Sequence, residues 1–163
     1  MDNSSGLKKG RGPRGSKDSK PMYGKDDSFV ETVLSVRRVS KVITGGRRFG
    51  FSALVVVGDG KGTAGVALGK GRDVSASIAK AVKKARKSMI KIPLHGTTVP
   101  FTVLGRYGAS KVLVRSACKG TGVIAGGAVR LFMEAVGIKD VLAKVIGSVN
   151  SQNTIKALLD ALG

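Results

Sequence analysis

The chain has 163 residues, enough for one domain or two small ones, and carries 29 Lys and Arg against 10 Asp and Glu, a formal charge of +19. Self-repulsion of that size opposes compactness and calls for a polyanionic partner; nucleic acid fits better than a membrane surface, because the apolar runs are too short to span and none reads as a signal peptide. A single cysteine, Cys118, forms no internal disulfide and points to a reducing compartment, while five Phe, two Tyr and no Trp are too few for extensive base stacking and favour structured RNA or DNA held by phosphate and shape.

Residues 1–27 are rich in Gly, Ser, Lys and Asp, with seven Lys and Arg against four Asp, and cannot bury enough to fold alone. They read as a basic flexible tail, equally compatible with a solvated leader and with an arm that orders on nucleic acid. From Ser28 the pattern turns to strands: Phe29, Val30, Val33, Leu34, Val36, Val39, Val42 and Ile43 lead to Gly45-Gly46, and a second run spans Phe49 to Val57. Asp59-Gly60, between apolar runs, signals a second hairpin on the premise that both central residues accept positive φ, and Thr63 to Leu68 is a third strand. A helix capped by Asp73 or Ser75 follows, its stripe Ile78, Val82, Ala85 and Met89 fitted to lie on the three-stranded meander, with Pro93 as its stop. Residues 28–95 hold 14 of the basic side chains and three acidic ones, so this unit carries most of the excess charge.

Residues 96–163 read as a second unit. Val99 to Leu104 and Lys111 to Arg115 are expected to pair around Gly105-Arg106-Tyr107-Gly108. The run Gly120 to Gly127 leads into a helix, Ala128 to Val136, terminated by Gly137; Val141 to Ile146 is a strand and Thr154 to Leu162 a closing helix. Strands alternating with helices imply a βαβ crossover, and the fold class is α+β.

The most pointed feature is the Gly45-Gly46 turn, ringed by Arg38, Lys41, Arg47 and Arg48 with Ser40 between them and nothing acidic from Glu31 to Asp59. A one-signed cluster is a poor solubility device, and its glycines let the backbone approach a phosphate closely, so the finger is expected to contact RNA. Lys80, Lys83, Lys84 and Lys87 recur at spacings of three and four along one helix side. Charge on an outer helix face ordinarily serves solvation, yet a like-charged row is mildly destabilising unless an anion neutralises it. Lys61, in the second turn, offers a further phosphate contact.

The motifs Arg-Val-Ser-Lys, Gly-Gly-Arg and Phe-Gly-Phe-Ser-Ala-Leu-Val-Val-Val-Gly-Asp-Gly-Lys-Gly are followed by Gly-Thr-Gly-Val-Ile-Ala-Gly-Gly and Gly-Ile-Lys-Asp-Val-Leu-Ala-Lys. In that order and spacing, from about Phe29 to Leu162, the chain resembles the small-subunit ribosomal protein S5 family in its bacterial form. The resemblance implies a double-stranded-RNA-binding-like domain of three strands and a helix, then a small α/β domain like that of certain kinases and gyrase subunits. It implies binding to small-subunit ribosomal RNA beside the messenger RNA entry path, next to the small-subunit proteins numbered four and eight. It further implies a part in translational accuracy, a finger linked to spectinomycin sensitivity, and a place on a cytoplasmic ribosome, an organellar one being equally compatible. By the same resemblance Gly105, Arg106, Tyr107, Gly108 and Lys111 lie toward a neighbouring protein. No membrane, self-association or cofactor is implied. Thr44 departs from a lysine common before the Gly-Gly, partly offset by Arg48, and Ser116 and Ser151 replace common prolines.

Other candidates carry less. Gly120 to Gly127 lacks the Gly-Lys-Ser/Thr ending of a nucleotide loop and is better read as a tight turn, with Arg130 able to offer that helix end to an RNA phosphate. His95 and Cys118 have no partner at metal or nucleophile spacing, and the carboxylates are scattered, so no metal site and no catalytic constellation is expected. The same basic residues would also serve a free-standing double-stranded-RNA-binding regulator.

Overall fold

The computed structural model describes residues 29–163; the segment 1–27 read as a tail, and Ser28, lie outside the described residues. Runs rich in β-branched residues supply β1 (Val30–Ile43) and β2 (Gly46–Gly58), and with β3 (Thr63–Gly71) they pair antiparallel in chain order. Helix α1 (Val74–Lys87) follows, then β4 (Met89–Lys91), which adds a fourth, short antiparallel strand beside β3. The second half contains β5 (Val103–Tyr107), β6 (Ser110–Ser116), β7 (Val123–Ile124), α2 (Gly127–Val136), β8 (Val141–Gly147) and α3 (Ser151–Leu162). Its sheet runs β5-β6-β8-β7, and β7 lies parallel to β8 with α2 between them in sequence, the expected βαβ crossover. The α+β class holds, with four strands rather than three in the first sheet.

Strand β4 is where helix periodicity misleads. Met89 continues the α1 stripe, but Ser88 closes the helix: its N–H donates to the Ala85 carbonyl at 3.0 Å and its hydroxyl to the Lys84 carbonyl at 3.2 Å. Met89, Ile90 and Lys91 then find open β3 backbone at Gly65, Ala64 and Thr63. A strand edge already in place outweighs the local helical preference.

Two turns also differ from their reading. The connection after β2 is a four-residue loop, not a two-residue turn: Gly60 and Gly62 take positive φ, whereas Asp59 does not. Instead the Asp59 carboxylate accepts the Lys61 N–H at 2.8 Å and the Thr63 N–H at 2.9 Å. Burial pushes that carboxyl up, but the donated hydrogen bonds prevail and hold it below its ordinary pKa. In the second half, Gly105, Arg106 and Tyr107 are strand rather than turn, and the turn is Gly108-Ala109. Gly105 is glycine because α3 crosses it; a Cβ there would sit 2.0 Å from the Ala157 carbonyl oxygen. The glycine records close packing, not a reversal.

Strand β2 explains how the halves meet. Ala53, Val55 and Val57 face α1 and pack with Ala81, Val82 and Ala85. Val56, on the other face, belongs to a cluster with Phe132, Met133, Ile155 and Leu158 of α2 and α3. The strand is buried on both sides, which is why Ala53 to Val57 reads as an unbroken apolar run instead of an alternating one.

Candidate nucleic-acid interface

A β-bulge at Leu34 divides β1. Val33 pairs with Val55 and Ser35 with Leu54, leaving Leu34 unpaired and packed toward the shared core. Beyond the bulge, Val36 to Ile43 and the facing Gly46 to Phe49 are exposed, so the hairpin projects about 20 Å past the rest of the sheet at ~3.3 Å per residue. It closes through Thr44-Gly45, with Ile43 opposite Gly46 and φ of 92° at Gly45, conformational space that glycine enters freely.

Cross-strand pairing sorts the finger's charges. Residues directly opposite share a face, so Lys41 and Arg48 lie together with Arg37 four residues back on the same face. Arg47, opposite Val42, lies on the other face with Arg38 and Ser40. The Arg38 guanidinium sits 4.4 Å from the centre of the Phe49 ring, which restrains a long side chain beside the tip. Both faces therefore present cations. Arg37 went unnamed in the sequence reading although strand alternation puts it in line with Lys41.

Helix α1 lies on β2 and β3 through Ser77, Ala81, Val82 and Ala85. Lys80, Lys83, Lys84 and Lys87 are exposed along an adjacent arc of about 100°, at ~100° per residue. The Lys80 ammonium reaches the Lys70 carbonyl oxygen at 3.4 Å, drawing the row to the β3 edge. Lys70 forms one cross-strand row with Ser52 and Arg37. The finger and the helix row, separate in sequence, thus border the same end of the first sheet.

The remaining candidates stand apart. Lys61 is exposed at the opposite end of β2 from the finger tip. Arg130 is exposed on α2, its Nε donating to Glu134 Oε1 at 2.9 Å. Arg106 and Lys111 face each other on the second sheet, Gly108 is in the turn beside them, and Gly105 is covered by α3. Tyr107 meets α3: the Lys156 ammonium donates to its hydroxyl at 3.0 Å and lies 4.6 Å from its ring centre. Lys156, 49 residues away in sequence from Tyr107, carried no signal that could have flagged it.

The Gly120 to Gly127 run does not cradle a phosphate. The Gly120 and Gly122 N–H groups donate to one oxygen of buried Asp140, at 2.9 and 3.0 Å. The Gly122 N–H and the Thr97 hydroxyl hold the Asp140 pKa below its ordinary value against the opposing effect of burial, with the Gly120 N–H and the Lys119 charge assisting. A depressed folded-state pKa adds stability above the unfolded value of 3.8, lost as pH falls through the lowered one. Urea unfolding between about pH 2 and 5 is therefore expected to show stability rising with pH through that window, and Asp140→Asn to flatten the rise. Among the described residues no cluster of three or more His, Cys, Asp or Glu is placed to hold a metal ion, and no helix is long and apolar enough to cross a membrane.

Comparison with known proteins covers both halves. Residues 29–93 match the profile of ribosomal protein S5, N-terminal domain, and residues 105–163 that of ribosomal protein S5, C-terminal domain. The small ribosomal subunit protein uS5 of Lawsonia intracellularis is 54% identical over 134 residues, 82% of this chain and 82% of its own. That of Nitrosococcus oceani is 52% identical over 136 residues, 83% of this chain and 80% of its own. With both halves matched in order and half of the aligned residues identical, the chain belongs to the ribosomal protein S5 family, whose members are structural and not enzymatic.

Proposed function

We propose that this chain is a structural constituent of the small ribosomal subunit that holds small-subunit ribosomal RNA between its finger and the lysine row of α1. The uncompensated finger carries the proposal: Arg37, Arg38, Lys41, Arg47 and Arg48 project on both faces of a hairpin that contributes nothing to either hydrophobic cluster. The relatives' name, small ribosomal subunit protein uS5, supports the same setting. Within it, the finger supports subunit assembly and translational accuracy near the messenger RNA path and bears on spectinomycin response. Lys61 and Arg130 serve as outlying phosphate contacts. Arg106, Tyr107, Gly108 and Lys111 face neighbouring small-subunit proteins, numbered four and eight, while Gly105 supports that surface from beneath. The division into a tail, residues 1–27, and domains of residues 28–95 and 96–163 belongs to this proposal, as does a place on a cytoplasmic ribosome.

Sucrose-gradient sedimentation of a lysate at about half-molar salt tests it, because screening strips proteins held by a few phosphate contacts. The chain is expected to travel with the small subunit at near one copy each. Recovery at the top of the gradient would assign it instead to a dissociable double-stranded-RNA-binding regulator.

A further inference from the structure

The first sheet ends unevenly. Strand β4 pairs only with Thr63, Ala64 and Gly65, so β3 from Val66 to Gly71 has no partner strand on that side among the described residues. The Ile92 N–H donates to the Gly62 carbonyl at 2.7 Å on this side, while the Asp59 N–H donates to the Thr63 carbonyl at 3.0 Å on the β2 side. Strand alternation then directs the N–H and C=O groups of Val66 and Leu68 outward, to the open edge.

That edge borders a groove of about 530 Å³ between α1 and α3. Its aliphatic surface comes from Leu54, Val66, Leu68, Ile155 and Leu159, and Lys70, Lys84 and Lys156 form its rim. A second hollow of about 250 Å³ shares Leu54, Leu68, Lys70 and Gln152 with it and continues to Arg37 and Val39 at the base of the finger. No carboxylate lines either one.

We infer that this groove takes a single unpaired nucleotide of an RNA, its base against the aliphatic floor and its flanking phosphates at Lys70, Lys84 and Lys156. The inference rests on the RNA-binding reading above and adds to it the kind of RNA bound. A fully paired duplex has no apolar surface to place in the groove, whereas bulged bases splay out and are read on their hydrogen-bonding edges. The outward main-chain groups of Val66 and Leu68 supply a donor and an acceptor for such an edge. The volume lies within the range of roughly 300–1,000 Å³ usual for small-ligand sites. Position argues for RNA over an acidic peptide: the groove lies between the finger's Arg37 face and the α1 lysines, so a nucleic acid touching both passes over it.

The test compares two synthetic RNA hairpins on the full chain, one fully paired and one with a single unpaired 2-aminopurine. The bulged hairpin is expected to bind roughly ten-fold tighter, as covering a few tens of Å² of apolar base surface brings, with a change in 2-aminopurine fluorescence. Leu159→Gln, checked for folding by thermal melting, is expected to abolish the preference while leaving paired-hairpin affinity within about two-fold, and Lys156→Glu to weaken the bulged hairpin more than the paired one. Equal affinity for the two hairpins, or a preference surviving both substitutions, overturns the inference alone. So does an alternating Val-Glu peptide that occupies the groove without competition from the bulged hairpin, which would assign it to a protein strand. Failure of both hairpins to bind overturns the RNA-binding reading itself.

Discussion

Gly137→Ala is expected to lower folding stability by about 4 kcal/mol, the sum of backbone strain and overpacking at mid-range values. Gly137 follows α2 with φ of 94°, and its N–H donates to the Met133 and Glu134 carbonyls at 3.1 Å, so the helix ends there by a left-handed turn. A side chain meets a second obstacle, because a Cβ would lie 2.1 Å from the Gly60 carbonyl oxygen. Neither neighbour can yield cheaply, since the β2–β3 loop is bound to the helix end. The Gly60 N–H donates to Ala135 at 3.2 Å and the Gly62 N–H to Val136 at 3.0 Å. Gly96→Ala is the control: its φ is 62° but nothing lies within 4 Å of the added Cβ, so only strain of about 1 kcal/mol is expected. Urea unfolding of the two variants checks this. Equal losses would show that the loop and helix separate freely and that the contact between the halves is soft.

Arg47→Glu with Arg48→Glu is expected to weaken RNA binding about a hundred-fold near ~0.15 M salt, since reversal replaces attraction by like-charge repulsion against phosphate. The slope of log affinity against log salt should fall by about two, close to one per lost phosphate contact. Folding stability should stay within about 0.5 kcal/mol of the parent, because both side chains are exposed and outside the hydrophobic clusters. The single changes separate the faces. Arg48→Glu strikes the face of Arg37 and Lys41, and Arg47→Glu that of Arg38. If one single change reproduces the whole loss, RNA lies along one side only. Unaltered affinity and slope in the double variant would remove the finger from the interface.

Features set by local chemistry were legible in the sequence. The glycine ending α2, the α1 stripe as far as Ala85 and the position of the finger tip to within one residue each depend on residues close in the chain; Met89, read into the stripe, lies in β4, and the tip turn is Thr44-Gly45, with Gly46 already in β2. What was missed depends on distant partners. β4 exists because β3 offers an edge, and position 105 is glycine within a strand because α3, some fifty residues on, packs against it. The groove needs Arg37, Lys70, Lys84 and Lys156 from four separate elements, and no periodicity joins them. Two signals were available and passed over: Arg37 follows from alternation in β1, and the unbroken Ala53–Val57 run already indicated a strand covered on both faces.

The two-sided burial of β2 has a consequence during synthesis. The first sheet and α1 are complete once Lys91 has emerged, but the surface around Val56 waits for Phe132, Ile155 and Leu158. At ~5–20 residues per second, the seventy or so residues that follow take roughly 4 to 14 s, during which an apolar sheet face is open to other chains. Nascent chains of this protein therefore pass through an aggregation-prone interval whose length is set by translation speed, and slowing the ribosome over the second half would lengthen it.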